Sequence, residues 1–128
     1  MKGIMILWMV FLGLASNAQS STDAIVGKWL KTPKEDLIIR VYKEGNEYKG
    51  KIIKEKETYK NKTLGFVILE KLKYNSDKKI WKGGTIHDPN SGKSYDAEAK
   101  IKEDGSLEVN CYLGMKFLGT KKYFKRIK

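Results

Sequence analysis

The sequence predicts an all-β domain, a small antiparallel up-and-down β-barrel of about eight strands. Three observations carry this. First, apolar and polar residues alternate with period two. The alternation is cleanest at Tyr95, Ala97, Ala99 and Ile101, with Ser94, Asp96, Glu98 and Lys100 on the other face. Second, turn-forming clusters break the pattern at short, regular spacing: Glu44-Gly45-Asn46, Asn75-Ser76-Asp77, Pro89-Asn90-Ser91-Gly92 and Glu103-Asp104-Gly105-Ser106. Each lies between two apolar runs and reads as a hairpin connection. Third, no helix-length 3.6-residue period occurs beyond the first apolar stretch.

The pattern places strands at 25–31, 36–42, 47–54, 64–74, 79–87, 93–102, 106–113 and 117–127. The charged stretch 55–63 reads as a loop or a frayed edge. In the last strand, Phe117, Tyr123 and Ile127 fall on one face and Leu118, Phe124 and Arg126 on the other, and a bulge is expected near Lys121-Lys122. Eight short strands in meander order form either an open sandwich with two bare edges or a closed barrel with none. Closure is favoured because it removes the edges. An eight-stranded barrel is wide enough to be filled by side chains or to hold one small ligand.

The first 18 residues read as a signal peptide. Lys2 gives a positive start, an apolar run follows from Ile4 to Ala15, and Ser16, Asn17 and Ala18 give a small-x-small cleavage pattern before Gln19. The apolar run would rise roughly 18 Å as a helix, short of the about 30 Å of a bilayer core, so a transmembrane anchor is not expected. The expected organisation is residues 1–18 signal peptide, 19–24 polar leader and 25–128 barrel. The expected location is exported, periplasmic or secreted. Loss of Lys2 takes the formal charge from +11 to +10.

All but two of the basic residues, Arg40 and Arg126, are Lys, a hydrated point charge that reads base edges poorly. Sequence-specific nucleic-acid binding is therefore not expected. Residues 43–63 mix seven Lys with four Glu, as solvated strand faces do, whereas residues 109–128 carry six basic residues and no acid. That end is the candidate patch for an anionic envelope surface, lipid or polysaccharide. Cys111 is the only cysteine, so no internal disulfide can form. Its place in the alternation Leu107, Val109, Cys111, Leu113 makes it a small buried apolar residue.

Gly27-Lys28-Trp29 opens the first strand and Arg126 nearly ends the last. In a closed barrel these strands are neighbours, so Arg126 can lie over the Trp29 ring and seal one end. Lipocalin-like barrels use this Gly-x-Trp and terminal Arg pairing, and here it is read as structural closure.

A longer motif runs Trp81-x-Gly83-Gly84-x-Ile86-x-Asp88-Pro89-x-x-Gly92-Lys93-x-Tyr95. It resembles the domain-of-unknown-function 2147 family of exported bacterial proteins. Gly27-x-Trp29, Tyr48-x-Gly50-x-Ile52, the stretch from Gly114 to Leu118-Gly119, and Phe124-Lys125-Arg126 also match. The resemblance implies a lipocalin-like barrel in the periplasm or outside the cell, and no established activity. His87 stands where the family often has an aromatic residue, and Asn110 where it often has Arg.

Read physically, Asp88-Pro89 starts a turn and Gly92 supplies a left-handed position. Gly83-Gly84 marks a bulge or a close approach to the backbone. Should the barrel mouth hold a site, its candidate residues are Trp81, His87, Asp88, Lys93 and Tyr95, with Arg40 on the Ile38-Arg40-Tyr42 face as a further cation. A single His and a single Cys exclude multi-His or multi-Cys metal sites. His87 and Asp88 are adjacent on a strand and point to opposite faces, and no nucleophile elbow, phosphate loop or paired-acid motif is present. No catalytic residue and no cofactor is assigned. The expected function is non-enzymatic binding of a small amphipathic or apolar, lipid-like ligand. The alternatives are an envelope-surface module using the basic C-terminal strand, and an unrecognised enzyme.

Overall fold

The computed structural model describes residues 22–114 and 119–128. Eight antiparallel strands form a closed barrel: β1 Gly27–Thr32, β2 Leu37–Glu44, β3 Glu47–Glu55, β4 Val67–Asn75, β5 Ile80–His87, β6 Ser94–Ile101, β7 Leu107–Tyr112 and β8 Thr120–Ile127. Each strand pairs with the next, and β8 returns to β1 with Trp29 opposite Arg126. That last pairing excludes the open sandwich and leaves no unpaired edge. Among the described residues no helix is long and apolar enough to cross a membrane.

The period-two alternation becomes an inside and an outside. Trp29, Ile39, Val41, Tyr48, Ile52, Leu69, Leu72, Leu107, Val109 and Phe124 are fully or almost fully buried and fill the barrel with side chains. Alanines 97 and 99 keep the β6 wall thin beneath them. Cys111 is buried among these residues, and burial pushes its thiol pKa up against the opposing pull of Lys122.

Gly83-Gly84 forms the bulge: the register between β5 and β6 shifts between Trp81 and Gly84, and Gly83 sits at φ +71. What comes close to the backbone is the neighbouring strand. A Cβ on Gly84 would lie 2.6 Å from the Leu72 side chain and 2.9 Å from the Glu70 carbonyl oxygen. The bulge expected at Lys121-Lys122 is absent. From 120 to 127, β8 keeps an unbroken register with β1 and β7, with Lys122, Phe124 and Arg126 on the inner face and Lys121, Tyr123 and Lys125 on the outer. Phe117 and Leu118 lie outside the described residues. Beyond Glu55, where β3 ends, the stretch to Thr63 is a loop, as expected. It turns through a short 3₁₀ segment, Glu57–Tyr59, which packs Tyr59 against the core and buries Thr63.

One end of the barrel is closed by residues 22–26. Ile25 is fully buried, and its carbonyl accepts the Trp29 indole N–H at 2.9 Å. The Arg126 guanidinium lies 4.2 Å from the Trp29 ring centre. It donates to the Val26 carbonyl at 3.1 Å and also to the Ala24 carbonyl. Gly27 is required beneath it, because it sits at φ +138 and a Cβ there would lie 2.8 Å from the guanidinium. The Tyr48 hydroxyl donates to Asp23, and the Trp81 indole donates to the Thr22 carbonyl at 3.2 Å.

Candidate ligand pocket at the open end

At the opposite end the packing stops short of the rim and leaves a pocket of about 140 Å³. Leu37, Ile68, Ile86 and Tyr95 form its apolar wall, and Lys31, Asp36, Tyr59, Asp88, Asn90 and Lys122 are its polar lining. The pocket is about the size of the roughly 150 Å³ cavity that can hold one benzene ring. A more open hollow of about 350 Å³ adjoins it, sharing Asp88, Tyr95 and Lys122 and reaching Cys111 and Thr120.

Both carboxylates in the pocket are already held by the protein. Asp36 is buried, and its Oδ2 accepts the Tyr59 hydroxyl at 2.7 Å. Burial pushes this carboxyl up, but the Tyr59 hydrogen bond and the nearby charge of Lys31 outweigh it and hold the pKa below the usual value. Its other oxygen, Oδ1, is enclosed without a partner. The Asp88 Oδ1 accepts the backbone N–H of Asn90 at 2.8 Å and of Ser91 at 3.3 Å. The Asn90 bond is the main reason that its pKa is lowered, with Lys122 adding to it. The turn closes through Gly92 N–H to the Asp88 carbonyl at 2.9 Å, with Gly92 at φ +75. Asp88, Pro89 and Gly92 are thus hairpin residues first, as turn chemistry requires.

The two lysines differ. Lys31 follows Trp29 by two residues on β1 and pairs with Phe124; Lys122 precedes Phe124 by two on β8 and pairs with Val109. Alternation therefore turns both inward. Among the described residues neither ammonium makes a hydrogen bond or a close ion pair; each acts on its carboxylate only through space.

The residues expected from sequence divide. Asp88 and Tyr95 line the pocket, and His87 borders it. The His87 ring, however, is engaged outside the barrel, with Nε2 2.5 Å from Glu70 Oε2 and Nδ1 2.7 Å from Ser94 Oγ. Lys93 is exposed, and its backbone completes the hairpin by accepting the Asp88 N–H at 2.8 Å. Arg40 is exposed on β2 between Lys28 and Lys51. Trp81 is buried at the closed end, 5.0 Å from the Tyr74 ring centre.

The bases of the C-terminal strand divide as well. Lys121 lies 4.0 Å from Glu108 and Lys125 3.0 Å from Glu35 on the outside, while Lys122 turns into the mouth and Arg126 into the closed end. Sequence reading missed Lys31, Asp36, Tyr59 and Lys122. For the two lysines a signal existed, since each stands two residues from a core aromatic.

Closed meander, Trp–Arg seal and mouth pocket together define a small lipocalin-like barrel. Residues 27–126 match the family model described as "Uncharacterized protein conserved in bacteria (DUF2147)", and the chain belongs to that family. Among solved structures it is similar to one described as "Protein HP1028 from the human pathogen Helicobacter pylori belongs to the lipocalin family". The two share 17% identity with a TM-score of 0.66, over 81% of this chain and 83% of the other, a likeness of fold. No curated protein matches the sequence.

Proposed function

We propose that this is an exported, non-enzymatic barrel that binds a small amphipathic ligand at its open end. The observation that carries the reading is the mouth pocket: an apolar wall of Leu37, Ile68, Ile86 and Tyr95 beneath a charged rim, in a barrel whose remaining interior is filled. Small-molecule sites combine such walls with a few placed polar groups, and barrel mouths are a common location for them. The pocket itself has room for about one ring or a short chain, and a longer ligand would extend into the adjoining hollow. Binding rather than turnover is favoured because the His87 ring is engaged by Glu70 and Ser94 and both pocket carboxylates are held in fixed hydrogen bonds.

The test is a two-dimensional amide NMR screen of the folded domain with compounds of fewer than about ten non-hydrogen atoms. Shifts should cluster at Leu37, Ile86 and Tyr95 and saturate with concentration. A screen with no saturable shifts, or with shifts confined to the outer face, would remove the reading.

A further inference from the structure

We infer that the ligand of the mouth pocket is a small organic carboxylate, held by Lys31 and Lys122; this rests on the pocket reading above. Four charged side chains line the pocket, and they are not equivalent. The Asp36 carboxylate is fixed by Tyr59 and its second oxygen is enclosed; Asp88 is fixed by two backbone N–H groups of its own turn. Both carboxylates keep their negative charge, but their hydrogen-bonding capacity is used or enclosed. Among the described residues of the pocket, the charged donors left without a hydrogen-bond partner are the two ammoniums.

The placement of that charge is specific. Lys31 sits opposite Phe124, and Lys122 is two residues from Phe124 on the same inner face. The pair are diagonal neighbours across β1 and β8, roughly 7–8 Å apart at the backbone. Two ammonium groups on one wall repel each other, and stems that pack over the apolar core bring both heads to the pocket. An anion between them relieves both. The facing wall of Ile86 and Tyr95 then takes the apolar body of the molecule. Lack of an ion pair alone does not mark them: outward Lys49, Lys100, Lys121 and Lys125 have a carboxylate within 4.0 Å, but outward Lys28, Lys51 and Lys82 have none among the described residues. What marks Lys31 and Lys122 is that they face the pocket.

The experiment titrates the folded protein with benzoate and hexanoate, and with benzamide and hexanamide as neutral counterparts of nearly the same shape, at low salt. Each carboxylate should bind at least tenfold more tightly than its amide, with shifts at Ile86 and Tyr95. Lys31→Met with Lys122→Met should abolish that tenfold preference, read as the ratio of acid to amide affinity within the variant. Equal affinity of acid and amide at the pocket would overturn the carboxylate assignment while leaving the pocket reading intact. Preference that survives the double substitution would overturn the assignment to these lysines. Absence of binding by all four compounds would also overturn the carboxylate assignment, and the broader fragment screen then decides separately whether the pocket binds anything.

Discussion

The two ends of this barrel use the same kinds of residue to opposite effect. At the closed end, among the described residues, the charged and indole groups that meet the core are matched. Arg126 spans the Trp29 face and two carbonyls, Tyr48 meets Asp23, and both indole N–H groups find carbonyls. At the open end the carboxylates are matched but two inward ammoniums are not, and Asp36 keeps an enclosed oxygen without a partner. The Asp36 oxygen is enclosed and out of reach of a ligand, so the capacity to bind at this end lies in the two ammoniums. The contrast separates an end built for stability from an end that retains capacity to bind.

The largest effect should come from breaking the closed end. Trp29→Ala removes the fully buried ring on which Ile25 and Arg126 converge, and a loss of about 3–5 kcal/mol in urea unfolding is expected. Arg126→Met keeps the aliphatic stem but loses the charged hydrogen bonds to residues 24 and 26, and should cost about 2 kcal/mol. If Arg126→Met left stability unchanged, the seal would be decorative and the contrast between the ends would fail.

That end was also the more legible one in the sequence. Trp29 and Arg126 are rare residue types here and stand, with Gly27, at the two ends of a meander, and once closure is assumed their contact follows. The turn chemistry of Asp88, Pro89 and Gly92 was legible for the same reason, because each residue has a conformational role that does not depend on distant partners. The mouth was less legible because Lys31 and Lys122 stand in stretches whose charge looks like solvated surface. Only their spacing from Trp29 and Phe124 gives them away. The Glu70–His87–Ser94 contacts were unreadable, since they depend on register across three strands that a bulge at Gly83 shifts.

A smaller effect separates the ends by pH. Asp36 has a lowered pKa in the fold, so its contribution is present above the unfolded value of about 3.9 and is lost as pH falls through the folded value. Tyr48 has a raised pKa, through burial first and then its hydrogen bond to Asp23. Its contribution is present below the unfolded value of about 10 and is lost as pH rises toward the folded one. Tyr59→Phe should therefore flatten the acid branch of a stability-versus-pH curve, and Tyr48→Phe the alkaline branch. Tyr59 itself, raised by its bond to Asp36, adds a lesser alkaline share. An acid branch unaltered by Tyr59→Phe would mean that Asp36 does not depend on that bond.

The smallest expected effect is the most informative about the open end. Lys31 and Lys122 are half-buried and lack close partners, so replacing both by Met removes mutual repulsion while preserving most of the stem packing. Stability should change by no more than about 0.5 kcal/mol, because the relief of repulsion is offset by the lost attraction to Asp36 and Asp88. The same substitution at a group that held the fold together would cost several times more, as expected for Arg126. A loss above about 1 kcal/mol for the double variant would place these lysines among the supports of the barrel. A neutral result, beside the loss at Arg126, would show that the fold does not depend on these two charges, as the ligand assignment requires.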